Sequence, residues 1–170
     1  MINLKKVSAD DRELLFNLNQ KYLYEMTNFY DDALDEKGIL YYGYFDAYFT
    51  DPLRSAYLIF NGDDLCGFLM LHPYSYFGGP TDHVLAEFTV FPMYRRQRLA
   101  AETVKLLFDT FPGRWEIKYN EKNTAAKSFW NKCTQCYKPE QITYSDTETV
   151  LVFRVDQTAV SPGHPADNAG

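Results

Sequence analysis

The chain has 170 residues, 46% of them hydrophobic and 24% charged, a composition that suits one globular domain with a sizeable core. The formal net charge of −6 argues against nucleic acid as the main partner, because phosphate binding relies on a basic face. No apolar run approaches the roughly 18 residues of a membrane span, and the N-terminus lacks the apolar core of a signal peptide. We therefore predict a cytoplasmic protein with no nucleic-acid or membrane partner.

The three cysteines are an odd number, which argues against a disulfide framework. Cys133 and Cys136 form a C-x-x-C, but this pair follows a helical stretch, whereas a thioredoxin-type motif follows a strand and opens a helix. A zinc site would need two further ligands, and the histidines show no partner spacing. We therefore predict that the cysteine pair is structural and that the protein binds no metal.

The chain begins with a predicted strand and a long helix. Residues 2–7 read as a short strand, and Ser8 followed by Asp11 resembles a capping box. From residue 15 to residue 26, leucine, tyrosine and methionine recur at spacings of three and four. Such spacing places these side chains on one face of a helix.

A second helix is predicted in the aromatic run ILYYGYFDAYF, which follows an acidic segment at residues 31–36. Tyr41, Phe45 and Tyr48 have the spacing of one helical face. Asp51-Pro52 should end this helix, because the residue before a proline disfavours helical geometry.

The middle of the chain is predicted to be antiparallel sheet. Residues 55–60 and 65–72 are apolar runs that flank Asn61-Gly62, and Asn-Gly between two such runs is typical of a hairpin. After a loop rich in glycine, proline and aromatic residues, residues 83–91 form a longer predicted strand that ends at Pro92.

The remaining predicted elements are a helix over 100–111, a strand over 114–119, a helix over 123–133 and two strands within 137–155. The order β-α-α-β-β-β-α-β-α-β-β predicts an α/β (α+β) fold, with a mixed, mostly antiparallel sheet of about seven strands and helices on both faces. We assign residues 1–155 to a single domain. Residues 156–170 are small and polar, and we expect a disordered tail there.

The densest basic cluster, Arg95, Arg96 and Arg98, stands where a helix is predicted to begin. Cations there oppose the helix dipole, at a cost of about 0.3–1 kcal/mol each. Free backbone N–H groups and arginines would together attract an anion such as a pyrophosphate. Charge placement alone supports a phosphate-binding turn and a solvated basic turn equally.

The run from Val90 to Ala100 resembles the acyl-CoA pyrophosphate loop of GNAT N-acetyltransferases, whose pattern is Arg/Gln-x-x-Gly-x-Gly/Ala between a strand and a helix. Arg95 and Ala100 match the ends of that pattern, and Arg98 replaces the inner glycine. The segment NTAAKSFW, which begins at Asn123, resembles a second segment of the family. Both segments occur in the family's order, and the element order agrees over about residues 1–155.

The resemblance implies an acetyltransferase that uses acetyl-CoA as co-substrate and acts on an amine of a small molecule or peptide. It implies direct attack of the amine on the thioester in a ternary complex, with a backbone N–H near Val90 stabilising the oxyanion. The cofactor-binding residues that it implies are Val90, Arg95, Arg96, Gln97, Arg98, Leu99, Ala100, Asn123 and Trp130.

One of these positions has an alternative explanation, and two others depart from the family pattern. Asn123 would contact the pantetheine arm, although a helix cap explains it equally well. Trp130 stands where the family usually has a tyrosine that protonates the CoA thiolate, and an indole N–H cannot serve as a general acid. At Arg98 we expect that glycine would serve for clearance and not for a positive φ, and that the arginine's charge outweighs its crowding.

Glu87 is the candidate general base, because it lies among apolar neighbours on the strand before the loop and burial would raise its pKa. Strand alternation predicts that Leu85, Glu87, Thr89 and Phe91 share one face. A structural glutamate that faces a neighbouring strand or solvent is an equally good explanation.

For the acceptor we select Tyr30, Asp31 and Tyr41, from a region that combines tyrosines with carboxylates, both of which attract ammonium groups. The alternative is that these tyrosines belong to the core and its rim. A non-catalytic acyl-CoA-binding module is the alternative function, favoured by Trp130 and Arg98, and a protein-interaction domain that has lost CoA is a weaker one. A homodimer is left open.

Overall fold

The computed structural model describes residues 1–158. The strands are β1 (Ile2–Lys6), β2 (Ser55–Asn61), β3 (Asp64–His72), β4 (His83–Val90), β5 (Gly113–Asn120), β6 (Glu140–Thr143) and β7 (Glu148–Val155). The helices are α1 (Arg12–Met26), α2 (Ala47–Thr50), α3 (Leu99–Thr110) and α4 (Thr124–Thr134), with short 3-10 turns at Ala9–Asp11, Pro92–Tyr94 and Gln135–Tyr137.

The seven strands form one sheet in the order β1-β2-β3-β4-β5-β7-β6. Neighbouring strands are antiparallel except β4 and β5, which are parallel. The two-residue turn at Gly62-Asp63 closes the predicted hairpin, and Gly62 has the positive φ of 61° that favours glycine. The predicted mixed, mostly antiparallel sheet is therefore confirmed.

Each face of the sheet is covered by helices and has its own core. On one face, Leu15 and Leu18 of α1 pack against Phe68 and Met70 of β3, in what we call the α1 cluster. On the other face, the α3/α4 cluster joins both of those helices to the sheet around the fully buried Trp115. The prediction of helices on both faces is confirmed.

The parallel pair at the centre of the sheet is short. β4 and β5 are in register only from His83–Leu85 against Trp115–Ile117. Beyond Leu85 the strands separate, although β4 stays paired with β3 as far as Val90 and β5 stays paired with β7 as far as Asn120. The sheet therefore holds a central gap that opens toward the starts of α3 and α4.

The predicted helix across Tyr41, Phe45 and Tyr48 is wrong, because turns fill this stretch and helix is limited to Ala47–Thr50. The side chain of Gln20 explains the difference. Its Nε2 donates to the Leu40 carbonyl at 2.7 Å and its Oε1 accepts from the Leu40 amide at 2.8 Å. Both backbone groups of Leu40 are thus satisfied by α1, and the aromatic spacing arises from tertiary packing.

The last strand, β7, ends at Val155. Most of the predicted tail, from residue 159 onward, lies outside the described residues. Within residues 1–158, no helix is both long enough and apolar enough to cross a membrane.

Candidate active site

An irregularity in β4 sets the direction of Glu87. Met70 of β3 pairs with Glu87 and Leu71 pairs with Leu85, so that Ala86 is an extra residue in the ladder. This β-bulge interrupts the two-residue alternation, and Leu85 packs in the α3/α4 cluster whereas the partner of Glu87, Met70, packs with α1. The prediction that Leu85 and Glu87 share a face is therefore wrong, because the sequence carries no signal for the bulge.

The Glu87 carboxyl lies among Tyr22, Tyr42 and Lys118. Burial raises its pKa to about 7, while hydrogen bonding with the two tyrosine hydroxyls and the charge of Lys118 act in the opposite direction. The raised pKa that its apolar sequence neighbours indicated is confirmed. A carboxyl with this pKa is about half ionised at neutral pH, where it can accept a proton.

A cleft of about 400 Å³, here called the tyrosine cleft, opens beside Glu87. Six tyrosines line it: Tyr22, Tyr30, Tyr42, Tyr44, Tyr76 and Tyr119. Three carboxylates also line it, those of Asp32, Glu87 and Glu148, against the single ammonium of Lys118. These carboxylates outnumber the ammonium whether or not Glu87 is ionised, so the cleft has a net negative charge in both states.

Two of the three residues selected for the acceptor lie elsewhere. Tyr30 lines the tyrosine cleft, but Asp31 does not, and Tyr41 is 89% exposed at the surface. Their sequence neighbours Asp32 and Tyr42 line the cleft instead. The selection is corrected by one position, because this stretch follows turns and no helical period orients its side chains.

Polar contacts fix the side chains of Tyr30, Lys118 and Glu148 in the tyrosine cleft. The Tyr30 hydroxyl donates to Glu148 Oε2 at 2.9 Å, and Lys118 Nζ lies 3.1 Å from the same oxygen. Lys118 also lies 4.8 Å from the centres of the Tyr76 and Tyr144 rings. Lys118 is thus held by a carboxylate and two aromatic faces.

His72 supplies a neutral group to the same cleft. Burial and the charge of Arg54 lower its pKa to about 4, so that the ring is uncharged at neutral pH. Its Nδ1 accepts the Tyr74 amide at 3.1 Å, and the ring proton therefore resides on Nε2.

Residues 91–98, here called the arginine loop, connect β4 to α3 in a strained conformation. Arg96 and Arg98 both have positive φ, 68° and 62°, and Arg98 is the N-cap of α3. The expectation that glycine would serve only for clearance at position 98 is therefore wrong. The left-handed backbone there favours glycine by itself, and the arginine adopts it at a cost of about 1–2 kcal/mol.

The side chain of Arg95 is engaged within the protein. Its Nε donates to the Val90 carbonyl at 2.7 Å, and its terminal nitrogens pair with both carboxylate oxygens of Glu25 at 2.7 and 2.8 Å. Arg95 therefore ties the end of β4 to α1. Arg96 and Arg98 remain as the basic side chains at the start of α3.

A groove of about 840 Å³, here called the helix groove, runs along α3 and α4 and reaches the end of β4. Seven of the nine predicted cofactor-binding residues line it: Val90, Arg95, Arg96, Arg98, Ala100, Asn123 and Trp130. Gln97 does not, because it is exposed with its Nε2 turned toward the Met93 carbonyl at 3.4 Å. Leu99 does not either, because its side chain is buried in the α3/α4 cluster.

Backbone amides of β4 point into the central gap. The Phe91 amide donates to the Cys66 carbonyl at 2.8 Å, toward β3. Since amide directions alternate along a strand, the amides of Val90 and Phe88 point the other way, where β5 has already diverged. These are the groups that a carbonyl oxygen in the gap could contact.

Asn123 caps α4, since its Oδ1 accepts the Ala126 amide at 3.1 Å. This confirms the capping explanation and leaves its side-chain NH2 as a donor. Trp130 is 6% exposed and packs edge-to-face against Phe88 and Phe129, at ring distances of 5.2 and 4.8 Å. Asn123, Trp130 and Phe88 line both the tyrosine cleft and the helix groove, so the two cavities share a wall.

Tyr22 also lines both cavities. The sequence places it in the tyrosine-rich region considered for the acceptor, but it is not among the three residues selected there. It lies on the periodic stripe of α1, which is otherwise the core-facing side of that helix. Its ring does pack edge-to-face on Phe68 at 5.8 Å, so the residue belongs to the core as well as to the site. A tyrosine among leucines on such a stripe was the available signal, because its hydroxyl needs a polar partner.

Within residues 1–158, no group of three or more His, Cys, Asp or Glu side chains is placed to hold a metal ion.

Solved structures of the same fold include several acetyltransferases. An acetyltransferase from Thermus thermophilus shares 17% identity, covers 91% of this chain and 97% of its own, and has a TM-score of 0.65. The PaiA N-acetyltransferase of Thermoplasma acidophilum in complex with coenzyme A shares 14%, with coverage of 91% and 99% and a TM-score of 0.59. The spermidine N-acetyltransferase of Vibrio cholerae with CoA and spermine shares 12%, with coverage of 91% and 95% and a TM-score of 0.60.

No curated protein matches the sequence. The family model of the acetyltransferase (GNAT) family, however, matches residues 16–134, which include most of α1 and all of the arginine loop, α3 and α4. The chain therefore belongs to the acetyltransferase (GNAT) family and is an acetyltransferase.

Proposed function

We propose that the protein transfers an acetyl group from acetyl-CoA to a cationic primary amine by direct attack within a ternary complex. One observation carries the proposal. Glu87, with a pKa of about 7, lies in the tyrosine cleft where that cleft shares a wall with the helix groove. The acceptor would occupy the tyrosine cleft and the acyl-CoA the helix groove, so that the two reactants meet beside the carboxyl.

Deprotonation of the acceptor is the main chemical demand. An alkylamine with a pKa of about 10.4 is only about 0.04% free base at neutral pH, equivalent to about 4.6 kcal/mol. Glu87 can accept the proton of the amine, because it is ionised in a large fraction of molecules at neutral pH and lies inside the cleft. A general base contributes about 10²–10⁴-fold to the rate.

On the acyl side, a backbone amide in the central gap would stabilise the negative charge that develops on the thioester oxygen. The Val90 amide points into the gap, and a thioester carbonyl placed there would receive its hydrogen bond as the oxygen becomes negative. The pyrophosphate would lie at the start of α3, where Arg96 and Arg98 line the groove and the first amides of the helix are free.

The charge of the tyrosine cleft favours a cationic acceptor. Asp32, Glu87 and Glu148 outnumber Lys118, and Lys118 is already paired with Glu148 at 3.1 Å. Tyrosine faces add a further attraction for ammonium groups. Fold relatives bear names that mention spermidine and the alanine of ribosomal protein S18, so both small polyamines and peptide amines belong in the first test.

The proposal is tested with a panel of primary amines and acetyl-CoA, in which release of the CoA thiol is recorded. We expect turnover with cationic amines and weaker turnover with amines that carry a carboxylate. Calorimetry with CoA runs in parallel. If CoA binds and no amine accelerates thiol release, a non-catalytic acyl-CoA-binding module replaces the proposal.

A further inference from the structure

Trp130 leaves the departing CoA thiolate without the hydroxyl that the family resemblance places on this helix. The indole packs between Phe88 and Phe129 and has no proton to give at neutral pH. At the same time, the proton that Glu87 takes from the amine must leave the cleft before the next turnover. A single group that carries the proton from Glu87 to the CoA sulfur would complete the reaction.

Tyr22 is placed between the two reactant cavities. Its side chain lines both the tyrosine cleft and the helix groove. Its ring is fixed edge-to-face on Phe68 at 5.8 Å, beside the strand pair that carries Glu87. The hydroxyl of Tyr42 also interacts with Glu87, but Tyr42 lines the tyrosine cleft and not the helix groove. Tyr22 therefore has access to the acyl-CoA side that Tyr42 lacks.

We propose that Tyr22 is a further catalytic residue, which passes the proton captured by Glu87 to the departing CoA sulfur. This inference rests on the proposed function. The amine nitrogen bonds to the thioester carbon, and the carbon–sulfur bond breaks with its electron pair moving to sulfur. Glu87 takes a proton from the nitrogen, Tyr22 gives its proton to sulfur, and Glu87 returns the captured proton to the Tyr22 oxygen. The products are the amide and the CoA thiol, and both side chains return to their starting states.

An acceptor that arrives as an ammonium first loses one proton through Glu87 to solvent. The second proton, released as the nitrogen bonds to carbon, is the one that Tyr22 relays. Only this second proton needs a path inside the protein, because water reaches the tyrosine cleft before the reaction but the sulfur lies on the groove side.

The surroundings of Tyr22 require the two transfers to be coupled. Burial and the charge of Glu87 raise the pKa of the Tyr22 hydroxyl, so it is a weak acid while Glu87 is ionised. Once Glu87 holds the amine proton, its negative charge is absent. Glu87 can then protonate the Tyr22 phenolate as it forms. The other titratable groups that interact with this pair are Tyr30, Tyr42, Tyr48, Tyr76 and Lys118, and of these Lys118 alone adds a positive charge.

The first experiment needs no acceptor. In Glu87→Gln the neutral side chain imitates the protonated carboxyl, so the Tyr22 hydroxyl is free to donate to the thiolate of bound CoA. The pKa of that thiol is read from thiolate absorbance during a pH titration. Adding Tyr22→Phe to Glu87→Gln should raise the thiol pKa by about one unit, a tenfold change, whereas adding Tyr42→Phe should leave it unchanged. Equal values for the two double variants overturn the proposal.

The second experiment is kinetic, with spermidine as the probe amine and saturating acetyl-CoA. Both Tyr22→Phe and Tyr42→Phe remove one hydroxyl beside Glu87 and keep the ring, and their melting temperatures check the fold. Tyr22→Phe should lower kcat at least about tenfold more than Tyr42→Phe, the low end for a general acid because a thiolate leaves readily. Equal losses would mean that Tyr22 only adjusts Glu87. Full activity of Glu87→Gln would instead contradict the proposed function itself, and the thiol titration decides the role of Tyr22 even if spermidine is not turned over.

Discussion

At the scale of single residues, Glu87 shows how burial creates both reactivity and instability. A carboxyl with an ordinary pKa near 4.5 would be a poor base at neutral pH, and burial in the tyrosine cleft moves its pKa to about 7. The wild-type kcat/KM should therefore rise with pH through about 7, as Glu87 loses its proton. Glu87→Gln should lower kcat/KM by about 10²-fold and remove this rise, with CoA affinity unchanged. A rate profile with amine and acetyl-CoA checks this, and an unaltered profile in the variant would rule out the role.

The same shift predicts a pH-dependent effect on stability. Below about pH 4.5 Glu87 is protonated in both states and has no effect, but as pH rises the unfolded chain ionises while the folded protein resists. Folding stability is therefore lost between about pH 4.5 and 7, by about 3 kcal/mol in total. Glu87→Gln should be more stable than the wild type at about pH 8 and equal to it at about pH 4. Chemical denaturation at the two pH values tests this, and equal stability at the higher pH would contradict it.

At the scale of elements, the start of α3 combines strain with charge. Arg98 has a φ of 62° and is a cation at a helix N-terminus, and both features cost stability. Arg98→Gly should raise the free energy of unfolding by about 1 kcal/mol. It should also weaken CoA binding about tenfold, and less at high salt, because a charge-assisted contact is lost.

Arg98→Ala separates these two effects, because it removes the charge and keeps the Cβ. Its CoA affinity should fall as in Arg98→Gly, without the full gain in stability. Calorimetry and thermal unfolding of the two variants provide the comparison. Tighter binding of CoA by Arg98→Gly would mean that crowding by the arginine outweighs its charge.

Most of the regular elements, and the position of the arginine loop, could be predicted because local patterns specify them. The periodicity from Leu15 to Met26 indicated α1, and Pro92 with the following arginines marked the end of β4 and the start of α3. The parts that could not be predicted depend on distant groups. Gln20 holds Leu40 out of a helix, and the bulge at Ala86 is fixed by pairing with β3. Neither the Gln20 contact nor the bulge can be recognised from the residues next to it in the sequence.

At the scale of the whole molecule, the sheet is nearly divided where the reactants should meet. Strands β1 to β4 join β5 to β7 through only three residue pairs within the described chain, His83–Leu85 with Trp115–Ile117. The bulge at Ala86 lies directly after the last of these pairs. The position of the gap thus coincides with the position at which Glu87 is turned toward α1.

The gap makes a prediction about backbone amides that hydrogen exchange can test. The Val90 amide points into the gap, whereas the neighbouring Phe91 amide is bonded to Cys66 at 2.8 Å. In the free protein, Val90 should exchange much faster than Phe91, because local opening is not needed to expose it. Acetyl-CoA should raise the protection of Val90 by at least about tenfold and that of Phe91 by less, since a thioester carbonyl in the gap bonds the first amide only. Protection that rises equally at both amides would reflect general stabilisation by the ligand, and it would place the thioester oxygen somewhere other than the gap.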